Sequence, residues 1–108
     1  MLFNNENGSN QSIALSDSTN NYPRIKIFFK TNDDYRYSTE ILQPYGTTTL
    51  QGDNPLNNTD YYIKASKINI SGSSITFSNH IEANIGPNGA SVYDRNNVYI
   101  TRVEGWKF

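Results

Sequence analysis

The chain has 108 residues, a net charge of −1 and no cysteine. That length suits one domain, and the near-neutral balance argues against a general nucleic-acid footprint. Without cysteine there is no disulfide, thiolate nucleophile or cysteine-ligated metal, and no apolar run reaches membrane-spanning length.

Asn, Ser and Thr fill about a third of the sequence, well above ordinary usage. Aromatic residues make up 13%, led by eight tyrosines, while charged residues are only 18%. Good helix formers are scarce. Polar uncharged residues compete with helical backbone bonding, and aromatic and β-branched residues favour strands, so the composition points to β-structure.

In chain order, residues 1–20, MLFNNENGSNQSIALSDSTN, read as a polar lead-in or linker arm, with one short strand at SIAL, residues 12–15. These residues lack the basic-then-apolar pattern of a signal peptide. Residues 24–30, RIKIFFK, alternate and place Ile25, Ile27 and Phe29 on one face. Residues 31–34, TNDD, form a turn, and residues 35–42 return as the second strand of a hairpin. Residues 43–46 make another turn before a β-branched strand at 47–51, and residues 52–60 read as a loop.

The run DYYIKASKINI, residues 60–70, changes phase: Tyr61, Ile63 and Ala65 share one face, Ile68 and Ile70 the other. A bulge near Ser66 would turn both sets inward. Residues 71–74 are a tight turn, followed by strands at 75–77 and 79–85. A loop at 85–90 has Asn88-Gly89 suited to positive φ. Residues 92–93 and 97–103 are the last strands. In the final strand Val98, Ile100 and Arg102 alternate with Tyr99, Thr101 and Val103, so apolar residues fall on both faces, as in a strand internal to its sheet. Roughly seven to nine short strands with turns between them predict an all-β, antiparallel, jelly-roll-like β-sandwich spanning residues 21–108 as a single domain.

Little in the sequence suggests catalysis. His80 is the one histidine, with no nucleophile motif beside it, and reads as a surface or sheet-edge residue. Asp33 and Asp34 are adjacent on a turn and point apart. Residues 53–60, DNPLNNTD, are rich in oxygen ligands but put Pro55 at a ligand position and lack the turn glycine of an EF-hand loop. Sequons at Asn7, Asn10, Asn57 and Asn69 follow from the composition. Gly86-Pro87-Asn88-Gly89 lacks the lysine and helix of a phosphate loop. A glycosidase would need two convergent carboxylates, and among Asp33, Asp34, Glu40, Asp53, Asp60, Glu82, Asp94 and Glu104 the spacing selects no pair. No cofactor and no metal site is expected. The tyrosines are more suggestive: a flat apolar face with a polar tip suits stacking on sugar rings, with Asn and Asp to bond hydroxyls.

Three segments, NNYPRIKIFFKTNDDYRYSTEI, DYYIKASKINISGSSITF and the terminal VYITRVEGWKF, resemble in that order the C-terminal domain of tail-fibre, tail-spike and minor structural proteins of phages and prophages of Gram-positive bacteria. The lead-in GSNQSIALSDSTNNY is similar as well. The resemblance implies a non-enzymatic, β-rich distal module of a virion tail appendage. It would be a homotrimer that binds host-surface polysaccharide, or alternatively a trimerisation and assembly module with no ligand of its own. It implies neither a nucleic-acid nor a membrane partner.

On this basis the expected glycan-binding residues are Tyr35, Tyr37, Tyr45, Asp53, Asn57, Asn58, Tyr61 and Tyr62, drawn from the longest loop and from strands next to turns. The expected subunit contact is Val98, Ile100, Val103, Trp106 and Phe108, with neighbouring copies covering the aromatic C-terminal end.

Overall fold

The computed structural model describes residues 1–42, 44–55 and 60–107. Its strands are β1 (Phe3–Ser9), β2 (Ile13–Ala14), β3 (Arg24–Thr31), β4 (Arg36–Leu42), β5 (Gly46–Pro55), β6 (Tyr61–Ser71), β7 (Ser74–Gly86), β8 (Gly89–Tyr93) and β9 (Val98–Trp106), with one 3-10 turn at Thr19–Asn21. They form an antiparallel β-sandwich, as the strand spacing predicts. One sheet has the order β1-β9-β3-β4; the other runs β2-β7-β6-β5, with β8 on the free flank of β7 beyond β2.

Alternation builds the four-stranded sheet. Ile25, Ile27, Phe29 and Thr31 of β3 point inward and are buried, while Arg24, Lys26, Phe28 and Lys30 point out. The β3–β4 hairpin closes through Asp34 at φ 65°, a conformation Asp tolerates better than most side chains. Tyr37 of β4 turns inward and stacks on Phe29 at 5.5 Å between ring centroids.

β9 is internal to this sheet, between β1 and β3. Its mixed apolar pattern is resolved by a bulge. The β3–β9 register shifts between Phe28, opposite Arg102, and Phe29, opposite Ile100, leaving Thr101 as the extra residue. Thr101 Oγ1 donates to the Phe28 carbonyl at 3.2 Å. The slip brings Ile100 and Val103 to the same inner face. Val98, Ile100 and Val103 are each 0% exposed. The expectation that these three form a subunit contact is therefore corrected: the chain's own core covers them completely.

In the five-stranded sheet the bulge lies on β7, not near Ser66 of β6. β5 and β6 pair without a shift from Gly46 opposite Ile70 to Pro55 opposite Tyr61. The break comes where Ile68 faces Phe77 and Lys67 faces Asn79, with Ser78 between. β6 therefore keeps strict alternation. Tyr61, Ile63 and Ala65 stay outward, while Tyr62, Lys64, Ser66, Ile68 and Ile70 point in. β5 also runs on through Pro55, into the stretch read as a loop.

Residues 1–20 are part of both sheets. β1 pairs with β9, with Phe3 opposite Val103, and β2 pairs with β7. Leu2, Ile13 and Leu15 enter the hydrophobic core, where Ile25, Ile27 and Ile100 meet Leu50, Ile68 and Ile75. Each such side chain contributes about 1.5–3 kcal/mol on burial. The C-terminal end is held by aromatic packing: a Cβ on Gly105 would meet the Tyr22 ring at 2.6 Å, and the Arg24 guanidinium lies 5.1 Å from the half-buried Trp106 ring. Replacing Ile100 by Ala should lower stability by about 3 kcal/mol, seen as a lower urea midpoint with an unchanged slope.

Candidate functional site

The core ends abruptly along β6. Past Ile68 the inward positions are Ser66 and Lys64, and both are buried. Lys64 Nζ donates to Asn32 Oδ1 and Asp33 Oδ2, each at 2.5 Å, and lies 3.8 Å from Glu82 Oε1. Glu82, directly across on β7, accepts from Arg95 Nη1 at 2.7 Å and Asn97 Nδ2 at 2.8 Å. Ser66 Oγ donates to Asn96 Oδ1, and Asn96 and Asn10 exchange side chain-to-carbonyl bonds at 2.7 and 2.9 Å. Three segments thus converge on one polar plug: the β3–β4 turn, the β8–β9 link and the chain after β1. Asp33 and Asp34 do point apart, Asp33 to Lys64 and Asp34 to Arg36, so Asp33 carries a role beyond its turn.

Burial pushes the Glu82 carboxyl up, but hydrogen bonds from Arg95 and Asn97, with the charges of Lys64 and Arg95, outweigh it and hold the group below its ordinary value. Lys64 and Arg95 set against Asp33 and Glu82 make a neutralised assembly. It positions elements, and its members face each other instead of an open cleft.

The outward side of the same sheet has different chemistry. Cross-strand partners share a face, so Ala65 and Ile81 form one outward row, with Ile63, Ala83 and Val92 in the next and Tyr61, Ile85 and Ala90 beyond. β8 stops at Tyr93, and there the surface becomes a depression of about 430 Å³. Ala65, Ile81 and Val92 form its floor; Tyr93, last residue of the edge strand β8 and cross-strand partner of the inward-facing Glu82, walls it at the sheet edge, and Thr49, Lys67, Asn79, His80 and Asp94 edge it. His80 Nε2 sits 3.5 Å from Asp94 Oδ1. The Arg95 guanidinium lies 4.2 Å from the Tyr93 ring centroid. Because Arg95 also bonds Glu82, the buried plug fixes the orientation of the wall.

The expected glycan residues are scattered. Tyr61, 54% exposed, and Asp53 share the outward face with the depression but do not line it. Tyr62 points inward, its ring 5.0 Å from Lys64 Nζ. Tyr37 donates its hydroxyl to the Asp53 carbonyl at 2.8 Å; burial, with the Asp53 and Tyr35 charges, pushes its phenol up. Tyr35 is exposed beside the β3–β4 turn, and Tyr45 is exposed at the opposite end of β5. Asn57, Asn58 and Phe108 lie outside the described residues. Of the expected contact residues, Trp106 keeps some surface. Among the described residues no group of His, Asp and Glu is arranged to hold a metal ion.

Ile81, Val92 and Tyr93 were missed because exposed apolar positions look like core positions in sequence, and Lys67 because a lysine on a strand reads as an ordinary solvated residue. Strict alternation along β6 was the available signal, since it puts Lys64 with Ile68 and Ile70.

Glu82 titrates below its unfolded value, so its stabilisation is fully present above the unfolded carboxylate pKa and is lost as pH falls through the folded one. Urea unfolding at about pH 6.5 should show Glu82→Gln less stable than the native chain by on the order of 1–2 kcal/mol. The gap should narrow as pH falls below the ordinary carboxylate range, and close once pH has passed through the lowered folded-state pKa. No protein-family model, curated protein or solved structure matches this chain.

Proposed function

We propose that this domain is a non-enzymatic distal module of a phage tail appendage, part of the virion, binding host-surface glycan as a homotrimer. The observation carrying the binding half is the outward depression, with its apolar floor, tyrosine wall and rim of amide, hydroxyl and carboxylate groups. Its volume falls in the range of small-ligand sites. A pyranose presents an apolar face and a ring of hydroxyls, and this arrangement supplies a partner for each.

The carboxylates support binding over hydrolysis. Asp33 is held by Lys64, Asp34 by Arg36, Glu40 by Arg24, Glu82 by Arg95 and Glu104 by Arg102. Glycoside hydrolysis needs two carboxyl groups flanking one bond; these side chains face cations, and Asp94 is the one carboxylate among the residues lining the depression.

The alternative is an assembly module. The observation favouring it is that the apolar outward rows continue past the depression, through Tyr61 and Ile85, both exposed. Stripes of this kind are a feature of surfaces that meet other proteins.

Binding to an array of bacterial wall polysaccharides is the test. Retention of at least one polysaccharide is expected, weakened about five- to tenfold by Tyr93→Ala. If nothing is retained, or if Tyr93→Ala binds equally well, the glycan reading fails. Light scattering tests the trimer: a particle three times the 12.2 kDa chain is expected, and Ile85→Lys should dissociate it if the outward rows form the contact. A trimer with no retained polysaccharide would establish the assembly reading in its place.

A further inference from the structure

We infer that the saccharide taken by the outward depression is an acidic one, carrying a carboxylate or a phosphate that pairs with Lys67. This rests on the glycan reading above and adds the ligand's charge.

The inference comes from how the cations are distributed. On the outward face of the four-stranded sheet, cations are balanced locally. Arg24 pairs with Glu40, Lys30 and Arg36 with Asp34, and Arg102 with Glu104; Lys26 lies across from Glu40 on one side and Glu104 on the other. Lys64 and Arg95 are absorbed by the buried plug. Lys107 lies over the Tyr22 ring. Among the described residues, Lys67 is the one basic side chain with neither an ion pair nor an aromatic ring beneath it.

Its surroundings leave the charge uncompensated. Directly across from it stand Thr49 on β5 and Asn79 on β7, both neutral and both at the rim. The next outward row holds Gln51, Ala65 and Ile81, with no carboxylate. An ammonium beside an apolar floor, with neutral hydrogen-bonding groups on both flanks, suits an anion brought in on a ring that covers the floor. Asp94 stands on the far side of the same depression, next to His80, and is placed to accept sugar hydroxyls. The bound sugar is thereby oriented, with its anionic substituent toward β6 and hydroxyls toward the end of β8.

The test is a titration of the 108-residue chain with glucose, glucuronic acid and glucose 6-phosphate, followed by amide shifts at positions 65–67, 79–81 and 92–94. One or both acidic sugars should bind about tenfold tighter than glucose, and the two identify whether carboxylate or phosphate is preferred. Lys67→Gln should remove that preference. If the native chain binds neutral and acidic sugars equally, or Lys67→Gln keeps the preference, the inference is overturned while the glycan reading stands. If none of the three sugars shifts these amides, the inference is overturned, and the polysaccharide array decides the glycan reading separately.

Discussion

The architecture depends on placing one ammonium group between two sheets. Along β6 the apolar side chains facing the other sheet end at Ile68; the next inward side chains are Ser66 and Lys64. Such a buried charge is costly unless neutralised and hydrogen-bonded. Asn32, Asp33 and Glu82 meet that requirement, and meeting it fixes where the β3–β4 turn and the β8–β9 link must lie. The five-stranded sheet then continues past the plug without a facing sheet, consistent with extents of 47 × 23 × 21 Å. An apolar residue at position 64 would offer these two segments no charge to converge on.

The plug and the outward depression are connected through Arg95. One end of its planar group hydrogen-bonds Glu82 and its face lies over Tyr93, a combination that guanidinium geometry permits and an ammonium does not. The wall of the depression is therefore held by the buried carboxylate directly across from it on β7. This is an economical way to keep a surface tyrosine in one orientation, because its own strand, β8, is exposed along its length.

The parts of the fold set by local alternation were legible in the sequence. RIKIFFK, with its returning partner, gave β3 and β4 closely, and the interior position of β9 followed from its two-faced apolar pattern. Bulges were less legible. A slip of one residue exchanges the faces of everything downstream, and nothing local distinguishes Thr101 or Ser78 from their neighbours. Placing the β6 bulge at Ser66 treated Lys64 as an outward residue, since a lysine between isoleucines is ordinarily exposed. Its burial follows from Asn32, Asp33 and Glu82, which are distant in sequence. The lead-in was misread for a related reason: FNNENGS has almost no apolar pattern, and β1 holds its place by pairing with β9. The candidate site was the least legible part. Of the residues expected there, Tyr61 and Asp53 share the outward face with the depression without lining it, while the depression itself depends on where β8 leaves β7.

One consequence follows from the pairing of β1 with β9. Phe3 lies opposite Val103, the strands are antiparallel, and the other extremity of the molecule is the β7–β8 turn. Tension between the segments near Phe3 and Trp106 peels this ladder open one hydrogen bond at a time. Tension between Phe3 and something gripped beside Tyr93 runs along the strands and stretches many bonds together. The sandwich is therefore mechanically anisotropic, compliant across its two neighbouring termini and stiff along the line that joins them to the groove.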